Sequence, residues 1–166
     1  MKSKLVFLLL AAVLLTPWPV AYAYDNSMTA GDAPVQVEAA GAAAAPQLHG
    51  YGSAIGSVTA GDLFYVDAGD CTADMPFTLY LTNTDELVSQ YRYLTLEIGV
   101  YADTGDGGWE RLSGQEADTY ITMHGGYAEV MLPGYARYKI TIERGCFYCY
   151  GTGESAVMPQ FYLSMG

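Results

Sequence analysis

From Asp62 onward the period is two, plain in several segments, and no window of ten residues in that stretch shows helical spacing. A period of two sends successive side chains to opposite faces of an extended chain. In Tyr91–Ala102, Leu94, Leu96, Ile98 and Val100 fall on one face, with Thr95, Glu97 and Tyr101 on the other. In Ala136–Glu143 the inward set is Tyr138, Ile140 and Ile142, and Arg137, Lys139, Thr141 and Glu143 face out. Strands with one dry and one wet face must cover the dry face with a second sheet. The expected fold class is therefore all-β, an antiparallel sandwich.

The remaining predicted strands are Asp62–Ala68, Pro76–Asn83, Trp109–Leu112, Asp118–Met123, Tyr127–Leu132 and Val157–Ser164, giving about seven to nine in all. Asp85–Gln90 has room for one helical turn. Gly125-Gly126 suits a tight hairpin between Asp118–Met123 and Tyr127–Leu132, and Asp103–Gly108 closes another turn.

Leu132-Pro133-Gly134-Tyr135-Ala136-Arg137-Tyr138 opens an alternating strand with a Leu, a Pro-containing turn and a Tyr six residues after the Leu. This resembles the tyrosine corner of fibronectin type III and related immunoglobulin-like domains. The resemblance implies an immunoglobulin-like sandwich with Tyr138 as the corner, its hydroxyl bonding to backbone a few residues upstream. The 11 residues through Ile142 that carry it depart in detail, with the Pro one place early and Ala136 where Thr is usual.

Ahead of the sandwich lie two segments of different composition. Residues 1–23 have the order of a secretory leader: Lys2 and Lys4, the 11-residue apolar run Leu5–Leu15, a Thr16-Pro17-Trp18-Pro19 break, and Ala21-Tyr22-Ala23 as cleavage site. The run is short of the roughly 20 residues that span a bilayer. The reading is a secreted, extracellular or surface protein with no membrane span in its mature form. Residues 24–61 then read as a flexible N-terminal arm and linker before the 62–166 sandwich. Eight of residues 24–50 are Ala and none is Lys or Arg. Within the arm, Ala33–Glu38 alternates like a strand, with Val35 and Val37 on one side.

The chain carries 18 acidic and seven basic residues. Cleavage removes Lys2 and Lys4, which takes the formal charge from −11 to −13. Such a surface repels nucleic acid. Asp103 and Asp106, like Asp67, Asp70 and Asp74, crowd on predicted turns; they are candidate calcium ligands, and equally ordinary turn residues. Trp109, Tyr101 and Tyr127 are candidates for a sugar platform, or for cross-strand packing. His49 and His124 lack the company a zinc site needs. No nucleophile elbow, zincin motif or phosphate loop occurs, so the chain is read as no enzyme and without a required cofactor.

Three cysteines follow the leader: Cys71, Cys146 and Cys149. Six predicted strands separate the loop of Cys71 from a loop holding the other two. An even number places both loops at one end of the sandwich, so Cys71 is expected to bridge to Cys146 or Cys149.

Secretion, an odd cysteine, absent catalytic motifs and a strand-bearing arm together predict an extracellular structural protein. It would be a subunit of a filament, fibre or matrix that self-associates by adding the Val35–Val37 strand to a neighbour's sheet edge. In layout this is similar to secreted matrix-fibre subunits of the camelysin type and to donor-strand pilins. The alternative is a soluble secreted module binding carbohydrate or calcium.

Overall fold

The computed structural model describes residues 22–24, 28–30, 33–50, 55–112, 120–134, 136–150 and 156–165. Most of the leader, residues 51–54 of the linker, and Asp118 and Thr119 of one predicted strand lie outside that set. The N-terminal strands are short: β1 (Tyr22–Tyr24), β2 (Thr29–Ala30), β3 (Ala33–Pro34), β4 (Gln36–Ala39), β5 (Leu48–His49) and β6 (Ile55–Val58). From Gly61 on, strands follow the alternating segments: β7 (Gly61–Asp67), β8 (Met75–Leu81), β9 (Tyr91–Asp103), β10 (Trp109–Arg111), β11 (Tyr120–Thr122), β12 (Tyr127–Leu132), β13 (Arg137–Cys149) and β14 (Phe161–Met165). One short helix, α1 (Thr84–Gln90), fills the place of the expected turn and is pinned by the buried Leu87.

Two sheets result. The larger runs across β9, β13 and β7, with β6 continuing beside β13 where β7 leaves off. Its edges are β10 and β11 against β9, and β4 and β5 against β7 and β6. The smaller sheet has the order β1-β14-β8-β12, and β1 alone in it runs parallel to its neighbour. Between them lies the apolar core. Leu94, Leu96, Ile98, Val100, Tyr138, Ile140 and Ile142 come from the large sheet, and Phe77, Leu79, Val130, Leu132, Phe161 and Leu163 from the small one. This is a mostly-β, two-sheet architecture compatible with a sandwich.

Three expectations are corrected. Gly125-Gly126 is no hairpin, because β11 pairs with β9 in the large sheet while β12 pairs with β8 in the small one. The chain crosses between layers there, held by Gly125 N–H donating to Thr122 Oγ1 (2.9 Å) and Leu81 N–H to the Gly126 carbonyl (2.6 Å). The last segment before the C-terminal strand also differs. Instead of ending at Glu143, β13 continues to Cys149, because a bulge between Ile142 and Arg144 shifts its phase against β9. Tyr138, Ile140 and Ile142 face the core before the bulge, and Phe147 and Cys149 after it. The third concerns the segment read as an arm: β4, β5 and β6 are strands of the large sheet, so pairing begins well before Asp62.

Candidate functional site

The strand-like piece of the N-terminal segment lies along the edge of its own domain. β4 pairs antiparallel with β7, in the register Gln36↔Asp67, Val37↔Val66, Glu38↔Tyr65 and Ala39↔Phe64. Val35 is buried and Val37 half-buried against the core, as the alternation requires of two residues on one side. Pro34 precedes β4 and pairs with Thr29 in the β2–β3 hairpin. The ladder is continued by Ala40 N–H donating to the Leu63 carbonyl at 2.8 Å.

The outer face of the large sheet beside β4 is built in cross-strand rows. One row reads Trp109, Asp103, Arg137, Asp67, Gln36; the next reads Arg111, Tyr101, Lys139, Tyr65, Glu38. Charges alternate along the first, while in the second Tyr101 and Tyr65 separate Arg111, Lys139 and Glu38. Arg137 stands between Asp103 (3.5 Å) and Asp67 (3.8 Å), and Lys139 reaches Asp62 at 3.3 Å. The Lys139 ammonium also lies 5.3 Å from the Tyr101 ring centre and 5.4 Å from that of Trp109, within cation–π range. Arg111 binds the Glu143 carboxylate through two nitrogens, at 2.9 and 3.2 Å, and the Tyr101 hydroxyl donates to the same carboxylate at 2.6 Å. Gly99 makes room for it, since a Cβ there would fall 2.5 Å from Glu143 Oε1.

These contacts shift titrations in opposite directions. Burial pushes the Glu143 carboxyl up, but the Arg111 and Tyr101 hydrogen bonds outweigh it and hold the group below its ordinary 4.5. The hydrogen bond from Tyr65 to Asp62 (2.7 Å), with burial and the charges of Asp62 and Glu38, pushes the phenol up to about 12. Between the rows and β4 lies a groove of about 340 Å³, lined among others by Gln36, Glu38, Tyr65, Asp67, Trp109 and Arg137. The Tyr65 and Trp109 rings form part of its wall, tilted 39° to one another with centres 6.2 Å apart. Thus Trp109 and Tyr101 come together around Lys139. Tyr127 belongs to the other sheet, in a row with Tyr80 and Tyr162 whose ring centres are 6.3 and 6.5 Å apart.

The cysteines are not brought together, and no disulfide joins any of the three. Cys71 lies in the loop after β7, buried beside Gly134, where a Cβ would fall 2.4 Å from the Cys71 carbonyl oxygen. Ala68 N–H donates to the Ala136 carbonyl in this region. Cys146 is ten residues further along, about 33 Å at strand rise and far beyond disulfide reach. The strand count misled because both distal cysteines sit within β13 and not in a loop. Cys146 is exposed and Cys149 buried, on opposite sides of that strand. Burial, aided by Asp70 and Asp67, raises the Cys71 thiol.

Tyr138 is buried, and its hydroxyl donates to the Pro133 carbonyl oxygen at 2.5 Å, five residues upstream. Asp103 and Asp106 act as turn residues. Asp103 accepts from Gly105 N–H (2.8 Å) and Asp106 from Gly108 N–H (3.0 Å) and the Thr104 hydroxyl. Gly105 and Gly107, with φ of 82° and 88°, are the glycines this turn requires. Among the described residues no group of three His, Cys, Asp or Glu side chains is placed to hold a metal ion. His49 and His124 are exposed, His49 in the edge strand β5 and His124 just after β11, which pairs with β9 on the other side of the large sheet. No helix among those residues is long and apolar enough to cross a membrane.

Sequence reasoning missed Asn83. Its amide donates to the Met158 carbonyl (2.9 Å) and accepts from Gln160 N–H (2.9 Å), tying the start of α1 to the approach of β14. In the sequence it stood only as the last residue of the predicted strand Pro76–Asn83, with nothing to mark its side-chain bonds. No protein-family model matches this chain, and a search of curated proteins finds no relative.

Proposed function

We propose that the protein is a non-enzymatic, secreted structural subunit that self-associates outside the cell by exchange of its N-terminal strand. The carrying observation is β4. A four-residue strand from the segment after the leader caps the β7 edge of its own sheet, with Val35 and Val37 packed against the core. A strand that pairs in cis offers the same contacts to β7 of a neighbour, and such exchange is a low-cost route to assembly. Head-to-tail exchange whose rotation does not close propagates into a fibre. We infer as well that the sandwich is immunoglobulin-like. The bond from Tyr138 to Pro133 supports an immunoglobulin-like sandwich, since a corner tyrosine ties the start of its strand to the backbone before it.

The test exploits the register. Glu38 and Tyr65 are direct partners on β4 and β7. Glu38→Cys with Tyr65→Cys, in a Cys146→Ser background, is oxidised after concentration. Exchange yields a ladder of covalent multimers; cross-linked monomer alone in assembled material overturns it.

A second reading is supported by the groove beside β4. Its two aromatic rings and its mix of donors and acceptors suit a neutral carbohydrate. Trp109→Ala should then abolish retardation of the protein in gels containing soluble polysaccharide. Unretarded wild-type protein would remove that reading.

A further inference from the structure

The small sheet's outermost strand straddles the predicted cleavage site. In β1, Tyr22, Ala23 and Tyr24 pair in parallel with Phe161, Tyr162 and Leu163 of β14, and the Tyr24 ring stands edge-on to Phe64, 6.4 Å away. Cleavage after Ala23 takes two of these three residues. It also leaves Tyr24 with a new α-amino group, charged below a pKa of about 8 and set at the sheet edge. Processing therefore removes the pairs Tyr22↔Phe161 and Ala23↔Tyr162 from the outer side of β14, and the one described pair that remains, Tyr24↔Leu163, carries the charged terminus.

We infer that removal of the leader opens β14 as a docking edge for a second copy of this chain, β14 against β14 about a two-fold axis. This rests on the reading of secretion but not on exchange of β4. Phe161-Tyr162-Leu163-Ser164-Met165 carries no charge and no proline, so it has none of the devices that blunt an exposed edge. In a chain of formal charge −11, an uncharged strand is where two identical surfaces meet without repulsion. The edge strands β4 and β12 carry Glu38 and Glu129, which oppose pairing with their own likeness. That a backbone lies along β14 at all before processing marks the space as wide enough for one. A two-fold pairing joins β12-β8-β14 of each copy into one continuous sheet and satisfies the edge on both sides. The uncleaved leader then acts as a cap that delays association until the chain has been processed.

The experiment compares the processed chain, starting at Tyr24, with the same chain starting at Tyr22. Sedimentation gives the mass of each across concentration, and amide exchange reports Phe161–Leu163. The chain from Tyr24 is expected to be dimeric or larger at concentrations where the longer chain is monomeric. Its β14 amides should gain protection only on association, while those of the longer chain are protected throughout. Tyr162→Lys, which sets like charges on the shared edge, should return the shorter chain to monomer with unchanged circular dichroism. Equal masses for the two chains overturn the proposal. So does a dimer whose β14 amides exchange freely. The Glu38–Tyr65 cross-link reads exchange of β4 separately, so either idea fails without the other.

Discussion

Tyr138 ties the turn at Pro133 to the start of β13 through one side chain, buried along its ring and bonded at its tip. Pro133 is exposed, so water can replace the lost donor in Tyr138→Phe. The cost should sit near the net worth of one hydrogen bond, about 1 kcal/mol, read as a lower denaturant midpoint with an unchanged slope. The thiols divide by burial: a maleimide should label Cys146 in the native protein, and Cys71 and Cys149 only after denaturation. Glu143 gives a sign that can be checked. Its folded value is depressed, so its stabilisation is present above pH 4.5 and lost as pH falls through the folded value. Tyr65 is raised, so its share is present below pH 10 and lost between 10 and about 12. Melting temperature against pH should therefore decline at both ends, and Glu143→Gln should flatten the acidic limb.

At the scale of elements, the strands that bury alternate residues between two layers were legible, because burial itself writes the period of two. β9 is the clearest, with Leu94, Leu96, Ile98 and Val100 all buried as the pattern requires. What escaped has a physical reason each time. The bulge at Ile142/Arg144 resets the phase of β13, so a reader following parity stops at Glu143 and takes Cys146 and Cys149 for loop residues. β4 showed itself as the alternation of Ala33–Glu38, but its place against β7 is set by register and not by period; β5 and β6, two and four residues long, are too short to show a period. The groove was half legible: Trp109 stood out as an aromatic, but Arg137, Tyr65 and Gln36 join it only through cross-strand register. Because β4 covers β7, removing residues 24–40 should destabilise the domain as well as block assembly. Burying a Val contributes about 1.5–3 kcal/mol, and Val35 is lost with the backbone bonds of the ladder. A marked fall in melting temperature is expected; an unchanged one would mean β4 adds nothing to its own domain.

Across the whole molecule, charge sets the conditions for assembly. With five basic residues against 18 acidic ones after processing, two copies repel at long range whichever edge they use. Fields from exposed charges extend about 30 Å at 0.01 M salt and about 8 Å at 0.15 M. The edge contacts proposed above are backbone hydrogen bonds and apolar side chains, which salt leaves largely intact. Raising ionic strength should therefore speed association without weakening the product. Lowering pH towards the sequence pI of about 4.2 should do the same by neutralising carboxylates, until loss of the Glu143 ion pair begins to destabilise the fold. Sodium and calcium salts at matched ionic strength separate screening from a specific ion. With Asp103 and Asp106 already engaged by turn amides, the two salts should give equal rates in light scattering. A large excess for calcium would return those carboxylates to consideration as ligands. Association that slows with added salt would mean that opposite charges, such as Arg137 and Glu38, form the contact in place of the strand edges.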